Sequence, residues 1–202
     1  MIKNLSLLLS FSLPIYASED PLNKVEYKSD SFYSFYVEIP AGTKQKWQVN
    51  KKTGILEWEE KDGKKRVISF LNYPGNYGFI PQTLSGDNDA IDVIDIDESV
   101  LRGTVKKVKI IGGLYFEDRK EKDYKLIGVD PNGAFSNYKT LDEILIDKPA
   151  ILEILRDWFS SYKKPGKMVF FRYISKSEAI EIIENSHKRW KKSQSQTKEL
   201  VL

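Results

Sequence analysis

The chain has 202 residues, with 32 Lys and Arg against 29 Asp and Glu, a net charge of +3, one histidine and no cysteine. That length suits a single domain with a substantial core, and the small net charge is no argument for a nucleic-acid partner. Without thiols there are no disulfides, thiolate zinc sites or cysteine nucleophiles, and a single imidazole, His187, argues against a histidine-based triad or a multi-histidine zinc site.

At the amino terminus Lys3 precedes an apolar or small stretch, Leu5 to Ile15, followed by Tyr16-Ala17-Ser18. This is the layout of a secretory signal peptide, residues 1–17, cleaved after Ala17 and too short for a lasting membrane span. The expected mature protein is one domain from residue 18 to 202, exported or periplasmic if the signal is used and cytoplasmic otherwise.

From about Ser34 to Gly112 the texture is β. Phe35 to Ile39, Gln45 to Val49, Ile55 to Trp58, Arg66 to Leu71 and Val105 to Ile111 are short segments bounded by turn residues. Between them, Tyr73-Pro74-Gly75-Asn76-Tyr77-Gly78-Phe79-Ile80-Pro81 reads as a rigid loop carrying two phenols. Ile91 to Ile96 reads as a buried strand, and Tyr124 to Val129 as another, ending at the turn Asp130-Pro131-Asn132-Gly133. Many short strands in succession suggest a closed or nearly closed barrel.

Helices come late. Thr140-Leu141-Asp142-Glu143 is a capping-box pattern, Pro149 suits the first turn of a second helix stopped by Lys164-Pro165-Gly166, and Ser175 to Glu178 caps a third. His187 shares an apolar stripe with Ile180, Ile183 and Trp190, which makes it a packing residue. The polar tail from about residue 192 is expected to fray.

Five aspartates occupy the eleven positions from Asp87 to Asp97. At a period of two, Asp92 shares a face with Ile94 and Ile96, where an uncompensated carboxylate costs several kcal/mol. With Asp87 and Asp89 just before it, the cluster calls for a hard divalent cation such as Mg²⁺. An EF-hand-type calcium loop fits poorly, because Ile91 cannot coordinate and Asp92 stands where Gly is needed.

Four further groups stand out: Glu38 in an apolar strand; Tyr73 and Tyr77; the acids Glu117, Asp118 and Asp123 with Lys125; and the cations Lys46, Arg66 and Lys163, the last beside Tyr162. Singly, each has an ordinary reading as a loop acid, a solvated cation or a core aromatic. Together they describe a site for a polyanion carried by metals. Two other readings are a non-catalytic barrel binding nucleic acid through Trp47, Tyr73, Tyr77 and the lysines, and an exported calcium-binding structural protein. The acidic clusters argue against the first, since they repel a phosphate backbone.

The segment Asn76 to Thr83 followed by Gly86-Asp87-Asn88-Asp89-Ala90-Ile91-Asp92-Val93 resembles the soluble inorganic pyrophosphatases of family I, whose D-x-D-P-x-D-V signature is met with Ala90 in the place of proline. The resemblance runs from about Ser34 to Trp190. It implies a mainly β fold, an OB-like five-stranded closed barrel with two or three C-terminal helices, and Mg²⁺-dependent hydrolysis of pyrophosphate to two phosphates. By the same resemblance, Mn²⁺ or Zn²⁺ could substitute and Ca²⁺ inhibit. The protein would form a homo-oligomer, dimeric or hexameric, without nucleic-acid or membrane partners.

Carried over by motif, Asp87, Asp92 and Asp123 resemble ligands of two activating metals, and Asp118 a ligand of metal arriving with substrate, supported by Glu38. Asp89 resembles the general base, with Tyr77 also at the reacting centre. Lys46, Arg66, Tyr77, Lys125, Tyr162 and Lys163 match phosphate-binding positions, and Tyr73 matches a phenol lining the site. Two departures stand out: Gln48 replaces a usual glutamate, and Arg119 an acid often found after the aspartate matched by Asp118. They imply an active enzyme with altered metal dependence.

Overall fold

A computed structural model describes residues 20–164 and 166–199. The expected signal peptide and Pro165 lie outside the described residues. The elements in order are α1 (Pro21–Lys24), β1 (Lys28–Ser29), β2 (Phe32–Ile39), β3 (Trp47–Val49), β4 (Leu56–Trp58), β5 (Glu60–Lys61), β6 (Lys64–Lys65), β7 (Asn76–Ile80), β8 (Ile91–Asp95), β9 (Val105–Asp118), β10 (Glu121–Val129), α2 (Leu141–Asp147), α3 (Pro149–Ser161), β11 (Met168–Ile174) and α4 (Lys176–Glu199).

Strands β2, β7, β8, β10 and β9 pair in that order, and β9 pairs back onto β2, so five strands close a ring. All contacts are antiparallel except β8 with β10. β1 extends the sheet beside β2, and β11 extends it beside β9. The mainly β, OB-like architecture with C-terminal helices is therefore present. Closure explains the sequence texture: strands buried on both sides read as near-continuous aromatic and β-branched runs, as in β2, where every residue after Phe32 is buried.

Two apolar clusters join the helices to the ring. Ile94, Ile111, Leu114, Phe116 and Ile127 pack with Leu152, Leu155 and Phe159 of α3, while Phe35, Val93, Val108 and Leu126 pack with Ala179 and Ile183 of α4. Each fully buried large side chain stabilises the fold by about 1.5–3 kcal/mol.

Several expectations need correcting. Asn76–Ile80, read as a loop, is strand β7; its five residues are all buried and pair with β8, and Tyr77, Gly78 and Phe79 pair with β2 as well. Pro74 and Pro81 lie just outside it, so neither removes a ladder donor. Arg66 to Leu71, read as a strand, keeps one isolated bridge, Gln45 with Val67, because its partner segment is itself irregular. β11 was not anticipated, and β9 continues past Ile111 to Asp118. The Thr140 side chain makes no capping bond, although Glu143 accepts from the Lys139 N–H at 2.6 Å. α4 runs from Lys176 to Glu199, with Gln194 tied to Asn23 at 3.1 Å. Among the described residues no helix is long and apolar enough to cross a membrane.

Candidate active site

The strand registers explain how distant carboxylates meet. β8 and β10 run parallel with Asp92 opposite Lys125, and Asp123 lies two residues from Lys125 on the same face. The Lys125 ammonium therefore sits between both acids, pairing with Asp92 and standing 2.7 Å from Asp123. Burial alone would lower this lysine, yet the Asp123 and Asp92 charges outweigh it and hold it well above the usual lysine range. Burial conversely raises the Asp123 carboxyl, against the opposing pull of Lys125.

Glu38 arrives by a different device. β2 pairs Val37 with Gly78 and Ile39 with Tyr77, leaving Glu38 as the extra residue of a β-bulge. Its carboxylate accepts from the Val49 N–H at 2.7 Å. Burial pushes its pKa up to about 7 against the pull of Lys46 and that hydrogen bond, with the Asp92 and Asp89 charges adding to the rise. Gly78 is obligatory opposite the bulge, since a Cβ there would meet the Tyr36 carbonyl oxygen at 1.8 Å.

Asp118 ends β9 at a two-residue hairpin turn in which Arg119 (φ 54°) and Lys120 (φ 71°) both adopt the left-handed region. One Asp118 oxygen pairs with Lys163 at 2.7 Å, while the other, Oδ1, is buried with no hydrogen-bond partner. Asp87 and Asp89 lie on the exposed loop between β7 and β8, where Asp87 accepts from the Asp89 N–H at 3.0 Å.

These groups gather around one cavity of about 770 Å³. Its acids are Glu38, Asp87, Asp89, Asp92, Asp118, Glu121 and Asp123; its cations include Lys46, Arg66, Lys125 and Lys163; Tyr77 and Tyr162 supply phenols, and Gln48 and Arg119 also reach it. The Tyr77 hydroxyl accepts from Lys125 at 3.3 Å, and Lys46 stands over its ring at 5.1 Å. Burial and the Asp92 charge keep that phenol protonated. Tyr162 stacks on Trp158 at 4.7 Å with Lys163 over its ring. Arg66 Nη1 donates to both Glu59 oxygens, at 2.8 and 2.9 Å.

One expectation about the site changes. Tyr73 is buried against Tyr77 and Trp158 and does not line the cavity. The acids that call for a divalent cation also meet lysines: Lys125 pairs with Asp92 and Asp123, Lys163 with Asp118 and Lys51 with Asp89. Among the described residues no three acidic or imidazole side chains already stand together as a metal cage. The donor chemistry nevertheless fits a hard cation. The carboxylates are oxygen ligands, and the buried, unpartnered Asp118 Oδ1 is an acceptor that such an ion would satisfy.

Sequence reasoning missed Lys51, Glu59, and the outer wall made by Asn23 of α1 with Trp190 and Gln194 of α4. Nothing local marks them; they are brought in by the fold from distant stretches. His187 is buried in a stack with Tyr27, as its apolar stripe suggested.

A family model described as inorganic pyrophosphatase matches residues 35–191. Inorganic pyrophosphatase of Homo sapiens is 33% identical, with 89% of this chain and 67% of that protein aligned, so the chain spans about two thirds of that relative's length. The N-terminally truncated vacuolar soluble pyrophosphatase of Trypanosoma cruzi, crystallised with PPi, is similar at a TM-score of 0.78 and 26% identity, over 91% of this chain and 78% of that one. The inorganic pyrophosphatase of Helicobacter pylori gives 0.72 and 28%, over 83% of this chain and 99% of that one. A nucleic-acid-binding barrel is not favoured by any of these, and the chain belongs to the inorganic pyrophosphatase family.

Proposed function

We propose that the chain hydrolyses pyrophosphate to two orthophosphates with magnesium, at the cavity that joins Glu38, the aspartates and the lysines. The observation that carries this reading is the interleaving of seven carboxylates with phosphate-gripping cations around one opening. Magnesium bound at the aspartates would supply charge neutralisation and a lowered pKa for water. Lys46, Arg66, Lys125 and Lys163 hold phosphoryl oxygens, and Tyr77 and Tyr162 donate hydrogen bonds to them. Asp89 accepts a proton from the attacking water as the new P–O bond forms and the bridging P–O bond breaks. Fixing nucleophile and phosphorus in line supplies the rest of the acceleration. The fourfold cationic grip suits a small, highly charged anion.

Assembly into a dimer or hexamer and export after cleavage at Ala17 complete the reading; sedimentation and the mass of the mature amino terminus test them. The central test is phosphate release from pyrophosphate with Mg²⁺ and with a chelator. Two phosphates per substrate, only with Mg²⁺, is the expected result. Absence of turnover in Mg²⁺, with tight salt-sensitive binding of an oligonucleotide, would replace this reading with the nucleic-acid barrel.

A further inference from the structure

We infer that one turn of α4, centred on His187 and Arg189, positions the loop between β7 and β8 and thereby sets how firmly Asp87 holds a divalent cation and where Asp89 stands to take its proton. The inference rests on the pyrophosphatase reading. That loop leaves the ring after Ile80 and re-enters it at Ile91. Its first residues are pinned from α4. The Gln82 carbonyl accepts from His187 Nδ1 at 2.7 Å, and the carbonyl's inability to donate fixes the proton on that nitrogen. The Leu84 N–H donates to the Ser186 carbonyl at 3.0 Å, and the Leu84 carbonyl accepts from Arg189 Nε at 2.8 Å. Arg189 is steadied in turn by Ser186 Oγ at 2.9 Å.

Gln82 needs such support. Its φ of 51° is a left-handed conformation that a residue with a Cβ adopts at a cost and holds only when its surroundings over-determine it. Its N–H donates to the Leu22 carbonyl at 2.8 Å and its side chain to the Asn23 carbonyl at 3.1 Å, so α1 and α4 hold it from two sides. His187 cannot swing away easily, being stacked between Tyr27 at 3.6 Å and Trp190 at 5.6 Å. Past Leu84 the loop relies on its own turn bonds, Asn88 N–H to the Ser85 carbonyl and Asp89 N–H to Asp87, and on Lys51. Behind it lies a second cavity of about 450 Å³, bordered by Ser85, Gly86 and Asp87 on one side and Asn185 and Arg189 on the other. A loop freed from α4 has room to drop into that space, carrying the aspartates with it. His187 and Arg189 are therefore positioning residues, touching neither metal nor substrate.

The test compares His187→Phe, which keeps an aromatic ring in the stack but no donor, with His187→Asn, which keeps an N–H near the place of Nδ1 but no ring. Arg189→Gln, at an exposed position, does not endanger folding. Mn²⁺ affinity of the substrate-free protein, followed by electron paramagnetic resonance, is measured beside kcat and KM for pyrophosphate. Both His187→Phe and Arg189→Gln should weaken Mn²⁺ binding and lower kcat about 10-fold, the usual scale for groups that orient ligands. KM should move much less, and His187→Asn should restore most of the loss. Unchanged Mn²⁺ affinity and kcat in His187→Phe and Arg189→Gln would overturn the proposal. So would equal losses in both His187 variants that simply track thermal stability. A wild-type chain inert toward pyrophosphate would instead sink the functional reading, and the Mn²⁺ titration would still decide the positioning role.

Discussion

Lys51 closes an ion pair onto the carboxylate of Asp89 while donating to the Asn88 carbonyl at 3.0 Å. The loop acid proposed as general base is thus held by a lysine that reaches across from the β3–β4 turn. Asp89→Asn should retain Mg²⁺ binding, because the turn bond to Asp87 comes from the Asp89 main chain, yet lower kcat about 10²-fold or more. Lys51→Met should cost less than about 1 kcal/mol of stability, since both partners are more than half exposed. Steady-state phosphate release and urea denaturation check the two values; full turnover in Asp89→Asn would remove that residue from the role.

Lys125 serves two acids at once and is itself nearly inaccessible, with its side chain 5% exposed. Removing it leaves Asp92 and Asp123 facing each other without a cation. In chelator, Lys125→Met should therefore lose roughly 3 kcal/mol or more, the scale for an orphaned partner of a buried pair. Magnesium should return a larger share of thermal stability to this variant than it adds to the wild type, because the ion takes over the lost neutralisation. Thermal melts with and without Mg²⁺ decide it, and equal Mg²⁺ gains in both proteins would count against the shared role.

Glu38 gives the metal-free protein a pH dependence whose sign follows from its environment. Its folded pKa of about 7 lies above the ordinary 4.5, so the folded state binds this proton more tightly than the unfolded chain does. The associated stability is complete below pH 4.5 and is lost as pH rises through about 7, roughly 3 kcal/mol in all. Glu38→Gln should flatten the stability profile across that window in chelator. An unchanged slope between pH 4.5 and 7.5 would show that Glu38 is ionised throughout.

The sequence made the site more legible than the strands that build it. Asp87, Asp89 and Asp92 are packed into one short signature, and every other proposed ligand or phosphate contact lines the same cavity. What compensates Asp92 was not legible, because Lys125 lies 33 positions away and reaches it only through the register of two parallel strands. β7 was hidden by its own punctuation: Pro74, Gly75, Gly78 and Pro81 read as turn signals, although the prolines flank the strand and Gly78 is demanded by the bulge opposite. β11 was missed because, at the sheet edge, its exposed and half-buried residues follow no clean alternation. The α1 and α4 walls follow from tertiary packing alone.

Gly78 supplies a direct test of that bulge. A Cβ at this position would stand 1.8 Å from the Tyr36 carbonyl oxygen and 3.1 Å from the Glu38 nitrogen, both main-chain atoms that no side-chain rotation can clear. Gly78→Ala should therefore force β2 and β7 apart and cost roughly 3–5 kcal/mol, near the top of the range for one substitution. Metal affinity should fall with it, since the same displacement withdraws Glu38. A urea midpoint within about 1 kcal/mol of wild type would show that the ring absorbs the methyl group.

Gln48 lies on β3 opposite Glu57 and faces the cavity that also holds Asp118, Arg119 and Lys163. Gln48 and Arg119 thus bring a neutral amide and a positive charge to the cavity where Asp118 would meet a substrate-borne ion. Gln48→Glu adds the missing charge, and half-maximal activation should move to about five-fold lower Mg²⁺, on the order of 1 kcal/mol. Arg119→Glu should shift activation in the same direction, because it exchanges a repelling charge for an attracting one. Titrating Mg²⁺ against the rate of pyrophosphate hydrolysis in the wild type and both variants reads this directly, and superimposable curves would refute the claim that these two positions set the metal demand.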